Sequence, residues 1–173
     1  GAFADIGCGI VALMPIDTIS VSRIEHPAER FTVGMDIKAV IKSVENGRIS
    51  LSHKELLGTW EENVARFSVG QTVSGIIRST EPYGIFIELA PNLAGLAEIK
   101  DGAVTGQSAA VYIKNIIPEK MKVKLALIDS YFSASAAPAP FEYFTDATHI
   151  DRWVYSPENS SKLVETVFDG EIQ

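Results

Sequence analysis

At 173 residues and 46% hydrophobic content, the chain can form one medium domain or two small ones with ordinary buried cores. A single cysteine, Cys8, excludes an intrachain disulfide and the zinc patterns built on paired cysteines, and it points to a reducing, cytoplasmic home. The net charge of −7 weighs against polyanion binding, but residues 1–66 hold nine acids and seven bases, residues 67–130 six and six, and residues 131–173 seven and two, so the acidity sits mostly in the tail.

The opening GAFADIGCGIVALMPI is apolar but short, is broken by Asp5 and has no basic leader, so it reads neither as a signal peptide nor as a membrane span. As a strand, GAFADI puts Ala2, Ala4 and Ile6 on one face and Phe3 with Asp5 on the other. Further on, YGIFIEL repeats the arrangement: Ile85, Ile87 and Leu89 point one way, and Phe86 shares the charged side with Glu88. Comparing the chain with itself extends this match into an imperfect repeat. Phe3 aligns with Phe86, and Gly9-Ile10-Val11-Ala12-Leu13 aligns with Gly95-Leu96-Ala97-Glu98-Ile99, which sets Ala12 opposite Glu98 and gives the second copy a loop three residues longer. GMDIKAVIKSVENGRISLS (34–52) then matches GQSAAVYIKNIIPEKMKVKLA (106–126), with two extra residues at the turn. Asn46-Gly47 is a strong hairpin signal in the first of these pairs.

Between the copies, Leu56, Leu57, Trp60, Val64 and Phe67 stand at helical spacing and predict a connecting helix over 53–67, despite Gly58. QTVSGIIRST (71–80) predicts a strand with Val73, Gly75 and Ile77 on one face and Ser74, Ile76 and Arg78 on the other. The first copy has no counterpart to that strand, so the sequence reads as a piece of a longer protein whose upstream part is missing. SYFSASAAPAP, with its small residues and alternating prolines, reads as a linker over 131–140. The aromatic and acidic remainder, 141–173, offers Ile150–Tyr155 and Lys162–Phe168 as two strands, or a short helix started by Ser156-Pro157. It is expected to fold back on the units before it, above all on the incomplete first one, because open strand edges are generally covered.

The order of these features resembles the S1 RNA-binding domain, the family named after ribosomal protein S1. The residues that carry the resemblance are Val69-Gly70-Gln71-Thr72-Val73-Ser74-Gly75, Tyr83-Gly84-Ile85-Phe86, Gly95-Leu96-Ala97-Glu98-Ile99, Gly106-Gln107 and Lys122-Val123-Lys124-Leu125. In the first copy they are Gly1-Ala2-Phe3, Gly34-Met35 and Arg48-Ile49-Ser50-Leu51-Ser52. The resemblance covers roughly residues 1–130. It implies an all-β architecture of tandem five-stranded OB-fold barrels, the first truncated (1–52) and the second complete (68–130), with the extension at 141–173 outside it. It also implies single-stranded RNA as partner, messenger or ribosomal, with the ribosome behind it, no membrane and no cofactor.

On such a barrel, outward aromatics stack on unpaired bases while basic side chains follow the backbone. Phe86 is then the stacking candidate, with Tyr83 turned out beside it before Gly84. Arg78, Lys114, Lys122 and Lys124 point outward by alternation, while Val73, Ile77, Ile85, Ile87, Val111, Ile113, Val123, Leu125 and Leu127 fill the core. The resemblance implies RNA contacts at Tyr83, Phe86 and a basic residue opening the last strand, Lys122 or Arg48, and it makes Phe3 the counterpart of Phe86. Where the family often carries histidine, this chain has Glu98 and Ala12; Lys100, two residues on, is expected to offset the Glu98 carboxylate.

Plainer readings stand beside these. Phe86 and Phe3 can be covered by a neighbouring unit, and the lysines can be a solvated strand face. His26, His53 and His149 lack the short spacings of metal ligands and read as surface or capping residues. Cys8 has no evident base partner. No phosphate-binding loop and no nucleophile elbow is present, so no catalysis is expected. The alternative to RNA binding is a scaffold that docks a ribosomal or other protein through the barrels and the acidic tail.

Overall fold

The computed structural model describes residues 1–132 and 141–168. Most of the expected 131–140 linker and the last residues of the extension therefore lie outside the described residues.

The clean period-2 alternation over 71–127 folds as a closed barrel in the order β5-β6-β7-β9-β8, from β5 (Thr72–Glu81), β6 (Gly84–Ala90), β7 (Leu93–Ala97), β8 (Ser108–Ile117) and β9 (Lys122–Tyr131). Ile77, Ile85, Ile87, Val111, Ile113, Val123 and Leu125 are buried in it, with Val73 and Leu127 packed at its margin. Gly95 has a packing reason: a Cβ there would stand 2.5 Å from a Leu125 methyl and 2.9 Å from the Val123 carbonyl, so only glycine lets β7 lie this close to β9.

Residues before the barrel form a four-stranded sheet in the order β1-β2-β4-β3, from β1 (Ala2–Asp5), β2 (Val11–Met14), β3 (Val40–Glu45) and β4 (Arg48–Ser52). The β3–β4 turn is Asn46-Gly47, both at positive φ (51° and 75°), the tight hairpin its sequence predicts. The sheet reproduces four strands of the barrel pair for pair. Phe3 faces Leu13 as Phe86 faces Leu96, Leu13 faces Ser50 as Leu96 faces Lys124, and both β3–β4 and β8–β9 carry a bulge, at Lys42 and Lys114.

This register corrects the repeat alignment over β2. Ten residues separate Phe3 from Leu13 and Phe86 from Leu96, so the two hairpins have equal length. Ala12 therefore corresponds to Gly95, not Glu98, and it is buried. Pro15 stands where the barrel has Glu98.

The connection between the units differs from the expected helix over 53–67. It consists of a 3-10 turn at Lys54–Leu57 and the short helix α1 (Trp60–Val64), parted by Gly58 at φ 94°, a conformation no helix allows. Thr59 and Glu62 close a capping box that starts α1 afresh. Trp60 is buried in the barrel's core cluster.

The tail takes the hairpin form, with β10 (Arg152–Val154) antiparallel to β11 (Glu165–Val167), both shorter than the expected runs. It folds back over the junction and touches both units. Trp153 and Tyr155 join the core cluster containing Trp60 and the barrel residues, and the Tyr155 hydroxyl donates to the Asn92 carbonyl at 2.5 Å. The ring of Phe141 packs on Phe31 of the first unit and on His53, the first residue of the connection. His53 corrects its expected surface or capping role: it precedes the Lys54–Leu57 turn without a side-chain cap bond, and it is fully buried and ringed by Phe31, Phe141 and Tyr143, with centroids 4.7–5.5 Å away. His26 does cap a turn, accepting from the Ala28 N–H. Among the described residues no helix is long and apolar enough to cross a membrane.

Candidate nucleic-acid interface

Strand alternation sets one face of β6, β7 and β9 outward, and cross-strand pairing lines up Phe86, Leu96 and Lys124 in a row across it. Lys122 stands on β9 to the same side, and so does Lys114, at the bulge in β8. These residues, with Tyr83 and Glu98, line an open groove of about 520 Å³. Tyr83 sits just before β6 where Gly84 allows a tight approach: a Cβ there would meet the Ala97 carbonyl at 2.8 Å. Its ring is 67% exposed and stands edge-on to Phe86, at 6.0 Å between centroids and 84° between planes. Two exposed or half-exposed aromatic faces flanked by three exposed lysines can stack on bases and neutralise phosphates at once.

The remaining expected residues go elsewhere. Arg78 points outward as alternation requires, but that face is covered. Its guanidinium donates to Glu88 Oε2 at 2.8 and 3.1 Å and to Glu29 Oε1 at 3.2 Å, away from the groove. Arg30, from the first unit, forks onto the same Glu88 carboxylate, and both partners are buried. Burial and the nearby Arg78 charge push the Arg30 guanidinium down to about 9, opposed by Glu29, so it stays charged at neutral pH. Burial likewise lowers Arg78, again opposed by Glu29. Glu88, which shares a face with Phe86, is thus the anchor between the two units.

Lys100 does not offset Glu98: its ammonium donates to the Leu127 and Ile128 carbonyls at 3.3 and 2.8 Å. Glu98 instead meets Lys114, at 3.6 Å. Phe3, 77% exposed, and Arg48, also exposed, lie on the first sheet in the positions equivalent to Phe86 and Lys122. Lys42, the counterpart of Lys114, escaped the sequence reading although the aligned Ile-Lys pairs (41–42 and 113–114) carried the signal.

Asn92 was missed as well, since a lone asparagine in a β6–β7 turn carries no long-range signal. Its buried side chain accepts from Val21 N–H at 2.9 Å and donates to the Lys54 and Gly58 carbonyls at 2.8 Å each. One amide thereby ties the first unit and the junction to the barrel.

The S1 RNA binding domain family matches residues 1–54. Small ribosomal subunit protein bS1 of Staphylococcus aureus (strain COL) is 33% identical over 141 residues, which is 73% of this chain and 36% of that protein. The bS1 proteins of Rhodopseudomonas palustris and Leuconostoc lactis are 29% and 28% identical over the same share of this chain, and the alignments cover 25% and 33% of their own lengths. The chain thus spans only a quarter to about a third of the relatives it matches. Its residues 1–54 belong to the S1 RNA-binding domain family, and 73% of the chain is homologous to bS1.

Proposed function

We propose that this chain binds single-stranded RNA, without catalysis, through two S1-type units in tandem, and that it serves translation in the cytoplasm on messenger or ribosomal RNA. The groove over β6, β7 and β9 carries the reading: Tyr83 and Phe86 present aromatic faces beside Lys114, Lys122 and Lys124. Its three lysines offset the chain's overall acidity where a strand would lie. The proposed units are residues 1–52 and 68–130, joined by the junction and clasped by the 141–168 extension.

A titration of the whole chain with labelled single- and double-stranded RNA at two salt concentrations tests this. Single strands should bind more tightly than duplex, and affinity should fall with salt at a log–log slope of about −0.7 per phosphate neutralised. Phe86→Ala should weaken binding about 10- to 100-fold, the equivalent of one stacked base, with the fold unchanged. Unchanged affinity in the folded variant removes Phe86 from the interface. Absence of RNA binding at low salt turns the reading to protein docking.

A further inference from the structure

We infer that Glu98 selects the base in the groove, accepting hydrogen bonds from a base stacked at Phe86 and favouring guanine over uracil. The inference rests on the RNA-binding reading above. Glu98 follows β7 directly and lines the groove with Phe86, Leu96 and the three lysines, and its side chain is 90% exposed. Its ion-pair partner among the described residues is Lys114 at 3.6 Å, an exposed contact of the kind that costs little to rearrange. A carboxylate repels phosphate, and the lysines already supply phosphate contacts. What Glu98 can take from a bound strand is therefore a donor, because an ionised carboxylate has two acceptor oxygens and no hydrogen to give.

The four bases differ in what they offer it. Guanine carries N1–H and N2–H₂ side by side on its Watson–Crick edge, so both carboxylate oxygens are satisfied together, the bidentate geometry that makes charge-assisted bonds strong. Cytosine and adenine each present one amino group beside a ring-nitrogen acceptor. Uracil presents a single N–H between two carbonyl oxygens, which face the carboxylate with like partial charge. Single-stranded RNA, unlike a duplex, leaves these edges open to a side chain. The first unit has Pro15 in the equivalent position, so base choice belongs to the second barrel alone.

Fluorescence anisotropy on the whole chain tests the assignment, with a labelled oligouridine of about ten nucleotides and the same strand bearing two central guanines, too few to form a quadruplex. The wild-type protein should prefer the guanine strand by at least about 5-fold, the lower end of discrimination by a bidentate contact. Glu98→Ala should abolish the preference and tighten oligouridine binding by removing a repulsive charge. Glu98→Gln, which keeps the size and one acceptor, should fall between. Equal binding of both strands by wild type, or a preference that survives in Glu98→Ala, overturns the inference and leaves RNA binding standing. Failure of wild type to bind either strand overturns the RNA reading itself.

Discussion

The four-stranded sheet and the barrel share a register down to the position of a bulge, yet they are held together in different ways. In the barrel, β5 pairs with both β6 and β8, closes the sheet and encloses a large core, which Trp60, Trp153 and Tyr155 join from outside the strands. In the first unit, β1 and β3 are outer strands, the buried apolar set is small (Ala12, Met14, Ile19, Ile24, Leu51), and Val11, Ile41 and Val44 are exposed. Local pairing therefore suffices to set a register, while closure needs a long-range partner. The first unit takes its support from attachments: Arg30 on Glu88, Val21 on Asn92, and the tail's Phe141 and Tyr143 around His53.

The largest effect on this difference should come from the ion pair. Glu88→Ala leaves Arg30 and Arg78 facing each other in a buried site, and breaking such a pair from one side costs about 3–5 kcal/mol. Denaturant unfolding should show that loss, and hydrogen exchange should show β1–β4 deprotected before β5–β9. A loss below about 1 kcal/mol, or uniform deprotection, would mean that the first unit does not depend on the anchor.

Asn92→Ala comes next. It strands one N–H and two carbonyls at the junction, and at about 1–3 kcal/mol for an unsatisfied buried group, partly relieved by water, the expected cost is about 2–4 kcal/mol. Binding of RNA to the barrel groove, which Asn92 does not line, should change much less than stability does. Equal losses in both would show that the junction also shapes the groove.

A third effect depends on pH. The Ile19 carbonyl can only accept, so His53 carries its proton on Nδ1 (3.2 Å) and its Nε2 accepts from the Tyr143 hydroxyl at 3.0 Å. Burial pushes the imidazole down to about 4, the Ile19 bond opposing and Arg30 adding to the shift. The unfolded chain, with an ordinary histidine value near 6.5, takes up the proton first. His53 thus contributes fully above pH ~6.5, and its contribution falls as pH drops towards ~4, by about 1.4 kcal/mol per unit. Stability measured across that window should fall less steeply in His53→Gln than in wild type. Parallel curves would show that the aromatic cage does not hold the histidine neutral.

The barrel was legible because its signal is local: alternation at Ile85, Ile87, Val111, Ile113, Val123 and Leu125 states which side is inside, and the structure buries all six. What alternation cannot state is what covers the outside. Arg78 and Glu88 do point outward, but Glu88's partner Arg30 lies 58 residues before it and Arg78's partner Glu29 lies 49 residues before it, and no periodicity links them. His53 is hidden for the same reason, its cage being completed from the tail, 90 residues on at Tyr143. The misplaced Ala12 has a different cause. Gly9 was matched to Gly95, but Gly9 is glycine for a turn at φ 74° and Gly95 is glycine for close packing against Leu125. The same letter answers two physical needs, and only pairing tells them apart. Within the groove, Tyr83, Phe86, Lys114, Lys122 and Lys124 were readable because side-chain direction follows from strand parity and one bulge.

The smallest expected effect sharpens the comparison at the RNA face itself. The row Phe86–Leu96–Lys124 of the barrel is Phe3–Leu13–Ser50 in the first unit, so the equivalent stacking ring is present but one cation is not. Ser50→Lys restores it. Ser50 is half-exposed beside Leu13 on the outward face, where a longer side chain can reach solvent, so the fold should be undisturbed. If the first sheet contacts RNA as the barrel is proposed to, the added ammonium neutralises one more phosphate, and the log–log salt slope should steepen by about 0.7. Phe3→Ala in the same background should return the affinity towards that of wild type, since a phosphate contact needs the stacked base to hold the strand in place. A salt slope unchanged by Ser50→Lys, together with an affinity indifferent to Phe3→Ala, would confine RNA to the closed barrel and leave the first sheet a structural support for it.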